Sequence, residues 1–471
     1  MIPRNLLYTN KRSSAYARNF STHIQPLNGS GNYLDGQTII INIPTAQNLV
    51  MAGSESLLKF DLTVTNGAGA NAYARLDRAG AHGCIQRLRL YHGSQLLEDI
   101  DNYGNLVGML MSLQQSGDSA KGKLNIMAGL TRDAFCDVTD STVADAGTLL
   151  TKIQGATNQV FTINSGERLI DDGQTTQFAD IAAAGDTLTR TYTINLLSII
   201  GSLSDKYIPL FAMTSAPLRL ELQLVSSPAK FICSELALSS FKVNNCEFIA
   251  QFMELGSEAM NIINNSAPGG RLEWVVPAWR NYVYNATLAN ASTQVSIPVP
   301  AKFNSLKSLF MTQRENADGS ITYFPMGSCH YNLASYTLRL GSKVVPSKAP
   351  ETVPEFFIEA IKAIGSVSDI NHEPNIDLGD YDVDVPTVNA ETENYVDDTA
   401  SSEAFFVGMD LETYSNADKD SIYSGYNTSN DDVFWHCTYN ANATTPSVRF
   451  DTYAMYDAVM VCEAGVAYVQ F

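Results

Sequence analysis

The sequence predicts an all-β protein in which one antiparallel sandwich domain is written out twice. Three observations predict it. Apolar and polar residues alternate with period two in most apolar segments. Clusters of Gly, Asn, Asp and Ser separate those segments, and motifs of the first half recur in the same order in the second. Successive side chains of a strand point to opposite faces, so such alternation marks a segment that buries one face and wets the other. The 471 residues are enough for two large all-β domains. With 17% charged and 45% hydrophobic residues, the chain is neither a disordered polyelectrolyte nor a small disulfide scaffold.

Taken in order, the first strand signal is the β-branched run TIIINI (residues 38–43), which ends at Pro44. LKFDLTV (58–64) and LRL (88–90) then alternate. In PLRLELQL (217–224), Leu218, Leu220, Leu222 and Leu224 alternate with Arg219, Glu221 and Gln223, the clearest case in the chain. The second half offers VSI (295–297), SLKSLF (305–310) and YTLRL (336–340). Turn chemistry lies between, as in residues 65–71 and 316–320. Helical spacing occurs twice. Residues 96–113 place Ile100, Tyr103, Val107 and Leu110 three and four apart, which predicts a helix there. Residues 352–364 open with Thr352, Pro354 and Glu355, a capping box with proline in the first turn, and carry Phe357, Ile361 and Ile364 on one face.

The repeat is a property of motif order. An Ile-Pro strand end (41–44) recurs at 296–298, and a Ser-Leu strand (56–60) recurs at 305–310. LRLYHGS (88–94) recurs as LRLGS (338–342), and each copy is followed by helical spacing. Pro44 and Pro298 lie 254 positions apart and Leu88 and Leu338 lie 250 apart, so the period is about half the chain. That means a duplicated domain and not a solenoid. The closing strands also match in order: 191–196, 217–224 and 241–252 in one half, and 405–411, 432–439 and 453–471 in the other. The expected division is a basic arm over 1–34, a first sandwich over 35–255 and a second over 256–471. Long polar interruptions at 114–187 and 369–420 read as outward-facing loops; the second holds fifteen acidic residues against the single cation Lys419.

This order of motifs resembles the double jelly-roll major capsid proteins of tailless icosahedral DNA viruses, the lineage of adenovirus, virophages and membrane-containing phages. RLRLYHGSQLLEDIDNYGNLVGML (87–110) is most similar to the strand-to-helix passage of virophage-type members. YIPLF (207–211) before the leucine strand is similar to the closing half of their first jelly roll. The resemblance spans residues 20–471. It implies two tandem eight-stranded antiparallel jelly rolls, each with a short helix and long loops. It also implies a non-enzymatic structural subunit of the virion, assembled in host cytoplasm or nucleus. The subunit would be a homotrimer whose six jelly rolls make a pseudo-hexagonal capsomer. Neighbouring capsomers, penton and minor capsid proteins are the implied partners, with no cofactor and no small-molecule substrate. Two other classes stay open on the residues themselves: a virion spike or lectin-like carbohydrate-binding jelly roll, and a β-sandwich glycan hydrolase. The latter needs two carboxylates roughly 5–10 Å apart across a cleft.

The first 34 residues hold Arg4, Lys11, Arg12 and Arg18 and no acid, so this arm is +4 while the rest of the −19 chain is −23. That balance argues against nucleic-acid wrapping by the protein as a whole. The arm reads either as a frayed, solvated terminus or as an inward-facing segment touching lipid headgroups, a minor protein or genome phosphates. Leu6, Leu7, Tyr8 and Tyr16 interleave with its charges, which suits an interfacial arm, and the resemblance favours that second reading. Asp380, Asp382, Asp384 and Glu391 copy the spacing of a calcium loop. Val385 stands where that loop needs glycine and Pro386 follows, so a solvated acidic loop is expected. The six histidines show no metal-ligand spacing, and no nucleophile elbow or phosphate-binding glycine loop occurs. Seven scattered cysteines without a CxxC pair read as buried reduced thiols of a reducing compartment. No run of 18 apolar residues exists and the N-terminus has no apolar core, so neither a spanning helix nor a signal peptide is expected.

Overall fold

The computed structural model describes residues 17–471 except 30, 68–73, 117–118, 130–184, 186, 203–205, 235–237, 267–269, 317–324, 365–375, 377, 387–402, 414–423 and 443. In the first half the strands are β1 (Ala17–Ile24), β2 (Thr38–Ile43), β3 (Leu57–Asn66), β4 (Ile85–His92), β5 (Gln95–Asp101), β6 (Thr187–Ile194), β7 (Leu218–Leu224) and β8 (Leu238–Leu255). They build two antiparallel sheets in the orders β1-β8-β3-β6 and β2-β7-β4-β5. The second half has β9 (Leu272–Thr287), β10 (Thr293–Val299), β11 (Leu306–Glu315) and β12 (Leu333–Leu340). It continues with β13 (Lys343–Val345), β14 (Val407–Asp410), β15 (Val433–Tyr439) and β16 (Ser447–Glu463). Their orders are β9-β16-β11-β14 and β10-β15-β12-β13, the first pair with eight added to every label. Each half is a jelly roll, and the chain is a double jelly roll. Beyond these sixteen, the first half has four short strands (Tyr33–Leu34, Leu49–Met51, Ala74–Leu76 and Ile232–Ser234) and the second has β17 (Val466–Gln470), which folds back on β16.

The cores follow from period two. Leu218, Leu220, Leu222 and Leu224 of β7 are buried while Arg219, Glu221 and Gln223 are half-exposed. Leu222 stands opposite Leu88 and Leu220 opposite Leu90. At the matching place in the second sandwich, Leu338 stands opposite Trp435. There Trp435, Tyr336 and Phe356 pack edge-on or tilted, with centroids 5.7 and 5.5 Å apart. Burying each such side chain contributes about 1.5–3 kcal/mol, so the leucine and aromatic columns hold the two sandwiches together.

Helix α1 (Tyr103–Gln114) follows β5, α2 (Ser257–Ser266) joins the halves, and α3 (Val353–Lys362) follows β13. The capping box of α3 forms as the sequence predicts: Glu355 Oε2 accepts from the Thr352 N–H at 3.2 Å and from the Glu351 N–H at 2.8 Å. These bonds hold the carboxyl below its ordinary range. Phe356 and Ala360 are buried, flanked by the half-buried Phe357, Ile361 and Ile364.

Three expectations change. The helix expected over 96–113 begins only at Tyr103, because residues 95–101 pair with β4 from Arg87↔Asp101 to His92↔Gln95. Gly93 (φ +57°) makes the tight turn, and Asn102 (φ +48°) separates strand from helix. Ile100 therefore belongs to β5, and its spacing to Tyr103 spans a turn. Secondly, the stretch expected as a basic arm over 1–34 contains a strand at Ala17–Ile24: β1 pairs with β8 from Ala17↔Leu255 to Ile24↔Phe248. Only Phe20, Thr22 and Ile24 are half-buried on this edge strand, too weak an apolar signal to mark it. Finally, the closing segment 453–471 is two strands, reversing at Ala464 and Gly465, both at positive φ.

Candidate functional site: the seam between the two sandwiches

The two sandwiches meet along a seam where β5 lies against β9, and β17 lies against β4 and β5. Its centre is Asp451 on β16, with no solvent exposure. Arg314 of β11 donates to Asp451 Oδ2 through Nη2 at 2.6 Å and Nε at 3.1 Å. Arg449 donates through Nε to Oδ1 at 3.1 Å. Burial works to lower the Arg314 guanidinium, but the Asp451 carboxylate outweighs it and the net shift is upward.

The first sandwich reaches this centre with the turn before α1. Asn102 Nδ2 donates to Asp451 Oδ1 at 3.0 Å and to Asn281 Oδ1 of β9 at 3.3 Å. The Asn102 carbonyl accepts from the Tyr453 hydroxyl at 3.3 Å, and its side-chain oxygen accepts from Gln86 at 2.7 Å. With its amide oxygen turned inward, Asn105 accepts from both Nη atoms of Arg314 at 3.0 Å. One residue in left-handed conformation thus ties two neighbouring strands of one sheet of the second sandwich to the start of a helix in the first. Backbone strain of this kind persists only where the surroundings over-determine it.

Two further clasps flank the centre. Asp77 Oδ2 accepts from the Met326 N–H at 2.7 Å, and the Met326 methyl sits against Gly83 and Gly104. A Cβ at Gly104 would lie 2.9 Å from the Gly83 Cα as well as 2.7 Å from that methyl, and the backbone contact makes the approach require glycine. At the other flank, the Ala467 N–H donates to His92 Nδ1 at 3.0 Å and the Ser215 N–H to the Gly465 carbonyl at 3.0 Å. Between them lies Glu98 on β5, buried, with Oε2 accepting from the Ile199 N–H at 2.8 Å and Oε1 without a partner. Burial pushes its carboxyl up to about 8. A cavity of about 210 Å³ remains in the seam, lined by Gln86, Asn105, Lys230, Arg314, Met326 and Arg449 among others.

The residues singled out in the sequence fall elsewhere. Arg18 sits on β1, exposed, opposite Glu254, with its guanidinium 5.9 Å from the Phe20 ring centre. Arg4, Lys11 and Arg12 lie outside the described residues, as does Glu391. Asp382 and Asp384 both face His330 Nε2, at 3.2 and 3.1 Å. His330 Nδ1 accepts from the Asn332 N–H at 3.1 Å, which leaves Nε2 as the ring donor facing the two carboxylates, a polar clasp. Among the described residues no group of three His, Cys, Asp or Glu side chains converges on a metal position. Cys84, Cys246, Cys329, Cys437 and Cys462 are buried and free, their thiols pushed up by burial. Cys136 and the Cys233 side chain lie outside the described residues. No helix of the described residues is long and apolar enough to cross a membrane.

None of the seam residues was visible as a site in the sequence. The one signal was Asp451 itself, a lone acid inside the aromatic run 450–456, where a strand wet on one face would alternate. No family profile and no curated protein matches the chain. Solved structures do. The Faustovirus major capsid protein is similar at TM-score 0.57 and 9% identity, covering 97% of this chain and 92% of its own. The mavirus major capsid protein is similar at 0.55 and 11%, covering 100% and 93%. The PBCV-1 virus capsid is similar at 0.57 and 11%, covering 98% of both chains. At this identity the likeness is one of fold, and it extends over both sandwiches.

Proposed function

We propose that the chain is the major capsid protein of an icosahedral virus, a structural subunit that closes into homotrimers of pseudo-hexagonal outline. The observation that carries the proposal is the exact repetition of one strand order in two sandwiches fused by a buried seam, in a chain matched end to end by solved capsid proteins. Two like modules held in one fixed relation, repeated around a three-fold axis, give a near six-fold tile that closes a shell without sheet edges exposed inside the ring. Nothing in this role calls for catalysis.

The arm extends the proposal. Arg18 stands on the edge strand β1, and residues 1–16, which precede it in sequence, carry Arg4, Lys11 and Arg12. Their charge suits contact with headgroups, genome phosphates or an acidic minor protein on the inner side of the shell. Penton and neighbouring capsomers are the remaining partners. Light scattering on the purified protein, with electron microscopy of the same fraction, tests the reading. The expected result is a particle of three times the 51.3 kDa chain mass with hexagonal outline. A stable single chain that binds glycans would replace it with the lectin reading.

A further inference from the structure

Inside the second sandwich a lysine meets a buried carboxylate. The register of β11 on β16 slips between Leu306 and Ser308, so Lys307 stands in a bulge, outside the pairing. Bulges of this kind re-aim a side chain. Lys307 Nζ lies 2.7 Å from Oε1 of Glu412, which follows β14, and 3.8 Å from Oδ1 of Asp457 on β16. Asp457 is buried, and the Lys307 and Glu412 side chains are 23% and 18% exposed.

The second oxygen of Asp457 is held by donors. Ser305, fully buried, donates its hydroxyl to Oδ2 at 2.6 Å, and the Ser424 N–H donates to it at 3.4 Å. The Ser424 hydroxyl lies between Asp457 Oδ2 and Glu412 Oε1, at 3.4 and 3.3 Å. The Gly425 N–H donates to Ser305 Oγ at 2.9 Å and fixes that hydroxyl. A primary amine, a carboxyl with one oxygen cradled by donors, and a second carboxylate touching the amine are the parts of an acyl transfer: nucleophile, oxyanion donors and proton relay. A third carboxyl, that of Asp410, lies near Lys307 and is pushed up by burial, so the cluster holds more acid than its one lysine balances.

The first sandwich closes without such a group. Its recurring serine, Ser56, donates to the Ala52 carbonyl at 2.8 Å and accepts from the Gln251 N–H at 3.2 Å. Leu57 and Leu58 follow it, where Leu306 and Lys307 follow Ser305. The strand order is the same in both halves, so the lysine and its carboxylates are an addition to the fold and no requirement of it.

We propose that Lys307 and Asp457 condense into an amide, a self-made staple between β11 and β16. Glu412 takes a proton from the ammonium and passes it to Asp457 Oδ1. The freed amine attacks Cγ while Ser305 and Ser424 hold the oxyanion at Oδ2. The bond from Cγ to Oδ1 then breaks, and Oδ1 leaves as water with two hydrogens from the ammonium. The two charges cancel and no co-reactant is consumed. One rotation of the lysine side chain closes the gap to the roughly 3–3.5 Å at which such attack begins. The staple is independent of the capsid reading.

Denaturing mass spectrometry of the full chain reads it directly. The expected mass is that of the sequence less one water. Trypsin is expected not to cut after Lys307 and to release a branched peptide joining Lys307 to Asp457. Glu412→Gln keeps both reacting groups and is expected to slow the condensation about 100-fold or more. Lys307→Arg is expected to keep the full mass of its sequence at any age. Asp457→Asn still offers an acyl group and is expected to become lighter by one ammonia. An unaltered wild-type mass after prolonged storage overturns the staple. So does a water lost within one linear peptide, which marks a cyclised aspartate. The wild-type chain alone decides the matter, whether or not a variant folds, and neither result bears on the mass of the assembled particle in copies.

Discussion

Strands β8 and β16 occupy the same place in the two sandwiches and live in different surroundings. In β8, from Phe241 to Phe252, buried residues alternate with half-exposed ones around a bulge near Asn245. In β16, every residue from Phe450 to Cys462 except Met455 is buried. The same position on the ladder shows the difference sharply. Thr63 of β3 faces the half-exposed Lys242, whereas its counterpart Thr312 faces the fully buried Asp451. One β-sheet face can thus be a wet surface or half of a dry joint without any change of strand order. Covering by a second module decides which it is, and the buried ion cluster marks where the cover lies.

The contrast can be broken at its centre. Asp451→Ala takes from the half-buried Arg314 and Arg449 the fully buried carboxylate that they share and should cost about 3–5 kcal/mol. Lys242→Ala on the wet face should stay within about 0.5 kcal/mol. Urea unfolding of the two variants measures both, and equal losses would mean that the seam contributes no more than a surface does.

The next largest effect is one of pH. Glu98 holds its proton in the folded protein up to about 8, whereas the unfolded chain releases it near 4.5. The unfolded state therefore binds fewer protons in between, and stability falls as pH rises from about 4.5 to about 8. Below that window the contribution of Glu98 is fully present. Glu98→Gln should flatten this slope by a few kcal/mol across the window, read from melts at fixed ionic strength. The matching strand of the second sandwich, β13, carries no acid, so no second slope of this origin is expected.

Gly465→Ala should cost roughly 1–2 kcal/mol, because φ is +81° and the added Cβ would lie 2.8 Å from Thr214 Oγ1. Faster amide exchange at Ser215 and Ala467, with the core of the first sandwich unchanged, would locate the loss at the seam. The smallest effect is at the start of α3. Thr352→Ala removes part of the α3 capping box and should cost about 1 kcal/mol. Asn102, which opens α1, makes no side-chain cap bond and acts through the seam instead. Asn102→Ala should therefore lower stability more than the loss of a cap does, and a smaller loss than that of Thr352→Ala would remove Asn102 from the joint.

Much of the fold was legible because local patterns carried it. PLRLELQL named β7 and its buried face, Thr352 to Glu355 named the start of α3, and the recurring Ile-Pro, Ser-Leu and Leu-Arg-Leu motifs matched β2 with β10, β3 with β11 and β4 with β12. Strands β1 and β9 were not legible, for opposite reasons. On β1 hardly any side chain is buried, so alternation has no apolar half. On β9 the run from Trp274 to Trp279 is apolar at every position, even at the half-exposed Val275 and Pro277, so alternation has no polar half. The short β5 reads as helix in the sequence because Ile100, Tyr103 and Val107 satisfy helical spacing across a turn that only the pairing with β4 reveals.

The amino-acid sequence alone determined the number of sandwiches, the order of most strands and the face that each turns to its own core, since these depend on neighbours two or four residues away. Which outer face became dry was decided only when the sandwiches came together. Asn102, Arg314 and Asp451 are far apart in the chain, and a polar residue reads the same whether water or another module will satisfy it.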